Sequence, residues 1–463
     1  MQLYDTKTRK KVEITPSGVT LKIYACGPTV YRDAHVGNMR TFLLNDLIHR
    51  TALAKGWPVT LIQNITDVGH MVDDTDLNSE DKMLAQSEKE NLTALAIAKK
   101  YEDKFHNDLA RLNILPATNY PKASETIDLM INLIKELIKK KHAYQGKDGS
   151  VFFSARSFAD YGAISGNRLA DLKPGYRFEN ELDDNKEFHA DWALWKLAPK
   201  TRTQLTWETP WGKGFPGWHI ECSAMSLHFL GDEIDIHTGG IDLRFPHHED
   251  ERAQSNSATG KEVVKHWVHA EHLLFEGRKM SKSAQNVVLV KDLITKGLHP
   301  LSLRLVFLEH RYRQQMDLTW NSLKAADKTL MRWYRLIAKW QSNSTPTNDY
   351  TFVKKIQSFM EDDLDSVSAI LLLRELEKSA EISDSVKLFT FINSEKWLGL
   401  GFDSIETLAP VNYSQEVLDL VAARATARAN KDFVLSDQIR DDLAKLGVLV
   451  KDTAQGQELT QLQ

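Results

Sequence analysis

Cys26 and Cys222 are the only cysteines in a chain of 463 residues. Two thiols cannot build a disulfide scaffold. They leave three fates: buried fillers, one disulfide, or a pair of metal ligands or nucleophiles. They stand 196 positions apart (222 − 26), so only the fold can bring them together. His247 and Glu251 form an i, i+4 pair, which one helical turn places on a common face. With the two thiols they make a sulfur, nitrogen and oxygen set of the kind tetrahedral zinc accepts. Taken alone the pattern leaves alternatives open. A buried cysteine is more often inert packing than a ligand. His248 competes with His247 as the nitrogen donor, and such histidine pairs are often plain loop residues.

Two further strings carry chemistry. His35-Val36-Gly37-Asn38 opens a helix directly after a strand. A helix N-terminus offers free N–H groups and partial positive charge, which suits phosphate. His35 and Asn38 can donate to phosphate oxygens, and Gly37 permits close approach of backbone and an adenine ring. Lys279-Met280-Ser281-Lys282-Ser283 places two lysines around a small turn, followed by Asn286-Val287-Val288. Lysines beside a nucleotide can neutralise charge that develops on a triphosphate. The bland alternatives are a structural histidine and a solvated basic loop.

The elements that must position these residues follow from periodicity. Thr20 to Ala25 alternates as a strand and runs into the loop signal Cys26-Gly27-Pro28-Thr29. From Asn38 a helix places Met39, Leu43, Leu44, Leu47 and Ile48 on one stripe, ended by Gly56 and Pro58. Val59 to Ile65 is a second strand. This βαβ unit predicts a parallel sheet with its ligands at the carboxyl ends of the strands. Ile127 to Ile138 is helical. Residues 146 to 211 read as an irregular, polar insertion rather than core. Sheet character returns at Ile234 to Ile236, with His237-Thr238-Gly239-Gly240 just beyond it. Residues 301 to 340 form long amphipathic helices carrying eight Lys or Arg against three acids: a solvated face or a surface for a polyanion. The tail holds a helix from Ser414, a second from Ser436 to Leu446, Gly447 as its stop, and the strand-like Val448 to Lys451.

Composition bounds the rest. Hydrophobic residues at 42% and charged residues at 26% exclude global disorder. A formal charge of −4 excludes a bulk polycation, though not a local basic face. No N-terminal apolar h-region is present, and apolar runs such as Ala369 to Leu373 are far below the ~20 residues of a membrane span. A reducing cytoplasm is the expected compartment, with no membrane involvement.

The pairing of His-x-Gly-x with Lys-Met-Ser-Lys-Ser, 244 positions on (279 − 35), resembles the double signature of class I aminoacyl-tRNA synthetases. Within that class several stretches resemble cysteinyl-tRNA synthetase: Tyr24-Ala25-Cys26-Gly27-Pro28-Thr29-Val30-Tyr31, Asn64-Ile65-Thr66-Asp67, Gly217-Trp218-His219-Ile220-Glu221-Cys222-Ser223-Ala224-Met225 and Phe245-Pro246-His247-His248-Glu249-Asp250-Glu251. The tail from Lys431-Asp432-Phe433 to Asp452-Thr453-Ala454-Gln455-Gly456 does so too, so the resemblance spans the chain. It implies an α/β fold: a Rossmann-like parallel-sheet catalytic domain with an insertion, then an α-helical bundle and a small mixed α/β C-terminal domain. The expected divisions are 1–118 and 212–255 for the catalytic halves, 119–211 for the connective insertion, 256–310 for a stem-contact region with the lysine loop, 311–407 for a tRNA-binding bundle, and 408–463 for an anticodon-binding domain.

The resemblance also implies roles. Cys26, Cys222, His247 and Glu251 become ligands of one zinc per chain. Thr66, Trp218, His237 and Asp242 become substrate-binding residues, and His35, Gly37, Asn38, Gly239 and Lys282 ATP-binding ones. His35, Asn38, Lys279 and Lys282 serve catalysis, Mg²⁺ accompanies ATP, and the partners are L-cysteine, ATP and tRNA(Cys), handled by a monomer. Zinc takes a thiol as thiolate, with the substrate sulfur joining at about 2.3 Å, whereas a serine hydroxyl is a poorer ligand. Such a bond gives discrimination that apolar pockets, often limited to ~10²-fold, do not, and an editing domain is then unnecessary. Trp320, Trp333 and Tyr334 are candidates for stacking on bases or for plain core. Two departures stand out: Asn38 replaces the second His of the commonest family form, and Gln285 replaces a Gly after the lysine loop. A related ligase that joins cysteine to an amino sugar shares the core but is expected to lack the tail.

Overall fold

Four apolar segments form the central sheet: β1 (Leu21–Ala25), β2 (Val59–Gln63), β3 (Ile234–Gly240) and β4 (Val264–Ala270). In the computed structural model, which describes residues 1–69, 81–173, 185–280, 286–345, 347–404, 414–453 and 456–461, their order is β4-β3-β1-β2 and every pairing is parallel. All seven residues of β3 are buried, as expected of a central strand covered on both faces. Register places Ala25 beside both Gln63 and Thr238, and His269 beside Gly239. The carboxyl ends of the strands therefore meet on one edge, where the βαβ pattern predicts ligands. Gly27 has a steric reason there: a Cβ would lie 1.6 Å from the Asn64 carbonyl oxygen.

Helix α1 (Val36–Ala54) follows β1 as predicted, but it is buried nearly all round rather than along one stripe. It also carries Arg40, Asp46 and Arg50, all buried. Arg40 donates to the carbonyls of Glu271 and His272 at 2.9 and 2.8 Å, and Arg50 pairs with Asp46 at 2.9 Å. Buried charge of this kind persists only when paired and hydrogen-bonded. Arg304, from helix Leu301–Leu308, joins the same group by an ion pair to Asp46.

The stretch from 146 to 211 departs from the irregular insertion expected. Ala143–Gln145, Val151–Phe153, Trp192–Leu197 and Gly214–Pro216 form an antiparallel four-stranded meander. Phe153, Trp192 and Trp195 pack in one core cluster with Ile220, Met225 and the two cysteines. Three of the four strands have only three residues and the six-residue Trp192–Leu197 is apolar nearly throughout, so no alternation marks them; the scattered aromatics are the meander's contribution to that core.

The helical region comprises Trp320–Asn343, Thr351–Glu361, Ser366–Lys378 and Asp384–Leu398. In the first of these, Leu323, Leu330, Trp333, Ile337 and Trp340 are buried while Lys324, Lys328, Arg335 and Lys339 are exposed. Trp333 and Tyr334 are thus core residues, with the Tyr334 hydroxyl donating to the Leu400 carbonyl at 2.6 Å, and base stacking by them is set aside. Arg304 also leaves the proposed polyanion surface, since it is fully buried.

The chain divides into two compact units: Met1–Ile294 with Leu298–Leu400, and Thr295–Gly297 with Gly401–Gln463. In the second, helix Gln415–Ala429 is capped by Ser414, as expected. The next helix, Phe433–Lys445, starts earlier than Ser436 because the Asp432 side chain caps it. Gly447, at φ +78°, turns the chain into the hairpin Val448–Thr453 and Gly456–Gln461 over a small core of Val417, Ile439, Leu443, Val448 and Val450. Among the described residues no helix is long and apolar enough to cross a membrane.

Candidate active site

Cys26 follows β1 directly. Cys222 lies in helix α2 (Trp218–Leu230), and His247 and Glu251 share the first turns of helix α3 (His247–Thr259). The fold brings all four together: their donor atoms lie within 4.8 Å of one another, and all four residues are buried. His247 Nε2 is 3.0 Å from Glu251 Oε1, and Cys26 Sγ is 3.7 Å from the same oxygen. Both cysteines are free, which removes the disulfide alternative.

The residues fit a thiophilic divalent cation. Two sulfurs, an imidazole and a carboxylate are a zinc donor set, and Glu251 Oε2 is buried without a hydrogen-bond partner. A hydrogen bond from Cys26 and the nearby His247 bring the Cys222 thiol down to about 7. Burial pushes the Cys26 thiol up, and Cys222 and Glu251 beside it push it further the same way. Burial also works against charge on His247, but Glu251 and Cys222 outweigh it and hold that imidazolium up to about 10. A second set, Cys26, His237, His248 and Glu251, meets the same distance condition. His237 Nε2 is 3.6 Å from Glu251 Oε2, and His248 Nε2 is 3.3 Å from Cys26 Sγ. His248 therefore stays a competing donor, and His237, expected only to bind substrate, stands among the candidate donors.

Supporting groups surround the donors. His219 Nδ1 is 2.8 Å from His247 Nδ1, which turns the other nitrogen of His247 toward Glu251, and His219 Nε2 is 3.3 Å from Asp250. His248 Nδ1 meets His269 Nε2 at 2.8 Å, and His269 Nδ1 meets the Thr6 hydroxyl at 2.8 Å. Such partners orient metal-binding imidazoles. Sequence reasoning missed His219 and His269. A signal existed for His219, three residues before Cys222 on the same helix; none existed for His269, which only the β3–β4 pairing brings in.

The expected substrate residues lie around this cluster. Trp218 opens α2 with its ring centroid 4.2 Å from that of His247. The Thr66 hydroxyl donates to Glu221 Oε2 at 2.9 Å. His237 stacks on Trp267 at 4.6 Å, and burial lowers its pKa to about 4. Gly239 is required by its neighbour, since a Cβ would sit 2.6 Å from the His248 ring. Asp242 is exposed and folds back over Gly240.

His35 and Asn38 do something the sequence did not show. They form a reciprocal cap on α1: the Asn38 N–H donates to His35 Nδ1 at 3.2 Å, and the His35 N–H donates to Asn38 Oδ1 at 3.1 Å. The departure to Asn at position 38 thereby gains a structural role, and its amide NH₂ is not used by the cap. Burial and Arg32 lower the His35 pKa to about 4, so the ring is neutral at pH 7 and carries its hydrogen on Nε2. Lys279 is exposed on a short strand, Arg278–Lys279. Met280 lies against Gly37, where a Cβ would come within 2.9 Å of its methyl, and the Val36 N–H donates to the Val288 carbonyl at 2.9 Å. Met280 and Val288 therefore both dock on the start of α1. Lys282 and Gln285 lie outside the described residues.

A parallel sheet whose carboxyl edge bears a capped helix terminus, with Lys279 and Met280 beside it, points to a class of protein. A model of the family described as the tRNA synthetases class I (C) catalytic domain matches residues 13–328, and the chain is a class I aminoacyl-tRNA synthetase, a ligase. Solved structures share the fold: the LeuRS–tRNA–LeuAMS complex of Agrobacterium radiobacter has a TM-score of 0.60 at 11% identity, covering 87% of this chain and 86% of that one. Methionyl-tRNA synthetase of Mycobacterium tuberculosis has a TM-score of 0.56 at 14% identity, covering 86% and 96%. More specifically, the chain belongs to the cysteine–tRNA ligase family. It is 38% identical to the Cysteine–tRNA ligase of Thermus thermophilus and 36% identical to that of Treponema denticola, each over 98% of both chains. A model described as the Cysteinyl-tRNA ligase anticodon binding domain matches residues 412–459.

Proposed function

We propose that this enzyme activates L-cysteine with ATP and transfers it to the 3′ end of tRNA(Cys). The observation that carries the proposal is the meeting of Cys26, Cys222, His247 and Glu251 at the edge that also bears the N-terminus of α1. In the first step the substrate carboxylate attacks the α-phosphorus and pyrophosphate leaves. No protein nucleophile is required, because positioning and charge stabilisation supply the acceleration. The His35 Nε2–H and the Asn38 amide donate to phosphate oxygens. Gly37 and Gly239 leave room for the nucleotide. Lys279 and Lys282 offset the charge on the leaving pyrophosphate, in concert with the Mg²⁺ that travels with ATP.

Cys26, Cys222, His247 and Glu251 would hold one zinc per chain, which when bound supplies a soft Lewis acid that prefers a thiolate to a hydroxyl. Trp218 walls the pocket beside His247. Thr66 and His237 orient the amino acid, and Asp242 stands at the mouth. The second step moves cysteine to the terminal ribose. The domain division retained for it is 1–118 and 212–255 for catalysis, 119–211 for the insertion, 256–310 for stem contact, and 311–407 and 408–463 for tRNA. The exposed Lys324, Lys328, Arg335 and Lys339 favour a phosphate backbone along the bundle. The chain acts as a monomer in the cytoplasm.

The test is exchange of pyrophosphate into ATP by the zinc-replete enzyme. Exchange should require cysteine and fail with serine. Absence of cysteine-dependent exchange overturns the proposal.

A further inference from the structure

The N-terminal hairpin (Gln2–Asp5 with Lys10–Glu13) and the segment 159–170 of the insertion enclose an open cleft of about 960 Å³. None of its lining residues belongs to the donor cluster or to the nucleotide edge. Lys7, Arg9 and Arg168 line it, with Asp160 as the one acid. Asp160 is taken by an ion pair with the buried Arg252, and Lys7 stands 2.8 Å from Glu262. Among the described residues Arg9 and Arg168 have no ion-pair partner. Both are exposed, so the cleft presents two uncompensated guanidinium forks.

Its walls are prebuilt. Arg9 has a positive φ of 58°, which a non-glycine residue rarely adopts, and its guanidinium lies over Gly166: a Cβ there would come within 2.8 Å of Nη2. Gly162 and Gly166, at φ +96° and +87°, leave that wall as bare backbone. The segment is pinned from below by α3. The Glu249 carboxylate accepts the N–H groups of Ile164 and Ser165 at 2.7 and 2.6 Å, and the Tyr161 hydroxyl donates to Asp250 at 2.6 Å.

Guanidinium forks match phosphate oxygens two at a time, and fixed walls lower the ordering cost of binding. We propose that this cleft binds phosphate groups between Arg9 and Arg168, with Lys7 at its rim. The phosphate comes either from the backbone of an RNA substrate or from a free oligophosphate. The site does not depend on which amino acid the enzyme activates, so its failure would leave the reading of the active site intact.

The test compares the full chain with the double variant R9Q/R168Q, whose folding is verified by its thermal midpoint. Calorimetric titration with inorganic tripolyphosphate should show one site fewer in the variant. Binding of a tRNA transcript, followed from 50 to 200 mM salt, distinguishes the sources. If RNA fills the cleft, the slope of log K against log salt falls by about 1–2 in the variant. Loss of the tripolyphosphate site with an unchanged slope assigns a free oligophosphate. Unchanged stoichiometry together with an unchanged slope overturns the proposal.

Discussion

The donor cluster and the nucleotide edge sit on the same strand ends but are built in opposite ways. The cluster draws Cys26, Cys222, His247 and Glu251 from three distant segments and buries all of them. The edge uses contiguous residues, His35 to Asn38 with Lys279 and Met280 beside them, and Lys279 is exposed. Recognition of a small soft atom needs a dry cavity with fixed donors. Handling a triphosphate needs cations that can follow charge as it moves. Under the proposed function, burial marks the part of the site that would select and exposure the part that would accelerate.

The widest contrast should come from Cys222→Ser. Metal affinity should drop beyond the hundredfold that loss of a mere supporting residue costs, roughly 10–100-fold, as read by metal analysis after dialysis. Retention of full stoichiometry would break the buried half of the comparison. At the edge, Lys279→Ala should lower kcat for pyrophosphate exchange by about 10²–10³-fold, as expected for loss of one charge-stabilising group, while metal content stays unchanged. A co-purifying loss of metal would show that the two halves are not separate.

His219→Ala tests the shell behind the cluster. It should weaken metal binding by about 10–100-fold, measured by competition with a chelator, with Cys26 and Cys222 still in place. The smallest effect belongs to Asn38→Ala, which removes one half of the α1 cap and should destabilise the fold by about 0.5–2 kcal/mol, measured by urea unfolding. The His35 proton adds a pH signature. Its folded pKa of about 4 lies below the ordinary 6.5, so the unfolded chain binds more protons between those values. Its contribution to stability therefore rises with pH through that window and is flat above it. A His35→Gln variant should lack this component when unfolding is compared at pH 4.5 and 7.

How much of this was legible depended on how local each signal was. The βαβ start, helix α1 and the first tail helix follow short-range rules and are found where periodicity puts them, while the second tail helix starts earlier, at Phe433. The metal set was readable only through the i, i+4 pair and family resemblance, since nothing local links Cys26 to Cys222. His269 enters through strand pairing alone. The meander around Trp192 was invisible because three of its strands are too short to alternate and the fourth, Trp192–Leu197, is apolar nearly throughout. The stripe of 301–340 misled in part: Arg304 reads as one more surface cation, yet it is buried against Asp46, a partner 258 positions away in the chain. Charge counted along a sequence carries no sign of which residues face water.

That ion pair has a consequence for evolution and for engineering. Asp46 lies on the helix that caps the nucleotide edge, and Arg304 also donates to the carbonyls of Leu398, Leu112 and Asn113. A chimaera that replaces helix Leu301–Leu308 must keep an arginine at position 304 to meet the Asp46 already on α1. A graft that lacks the arginine leaves Asp46 to Arg50 alone and takes the donor away from the carbonyls of Leu398, Leu112 and Asn113. The two regions are therefore heritable as a matched pair rather than as interchangeable modules.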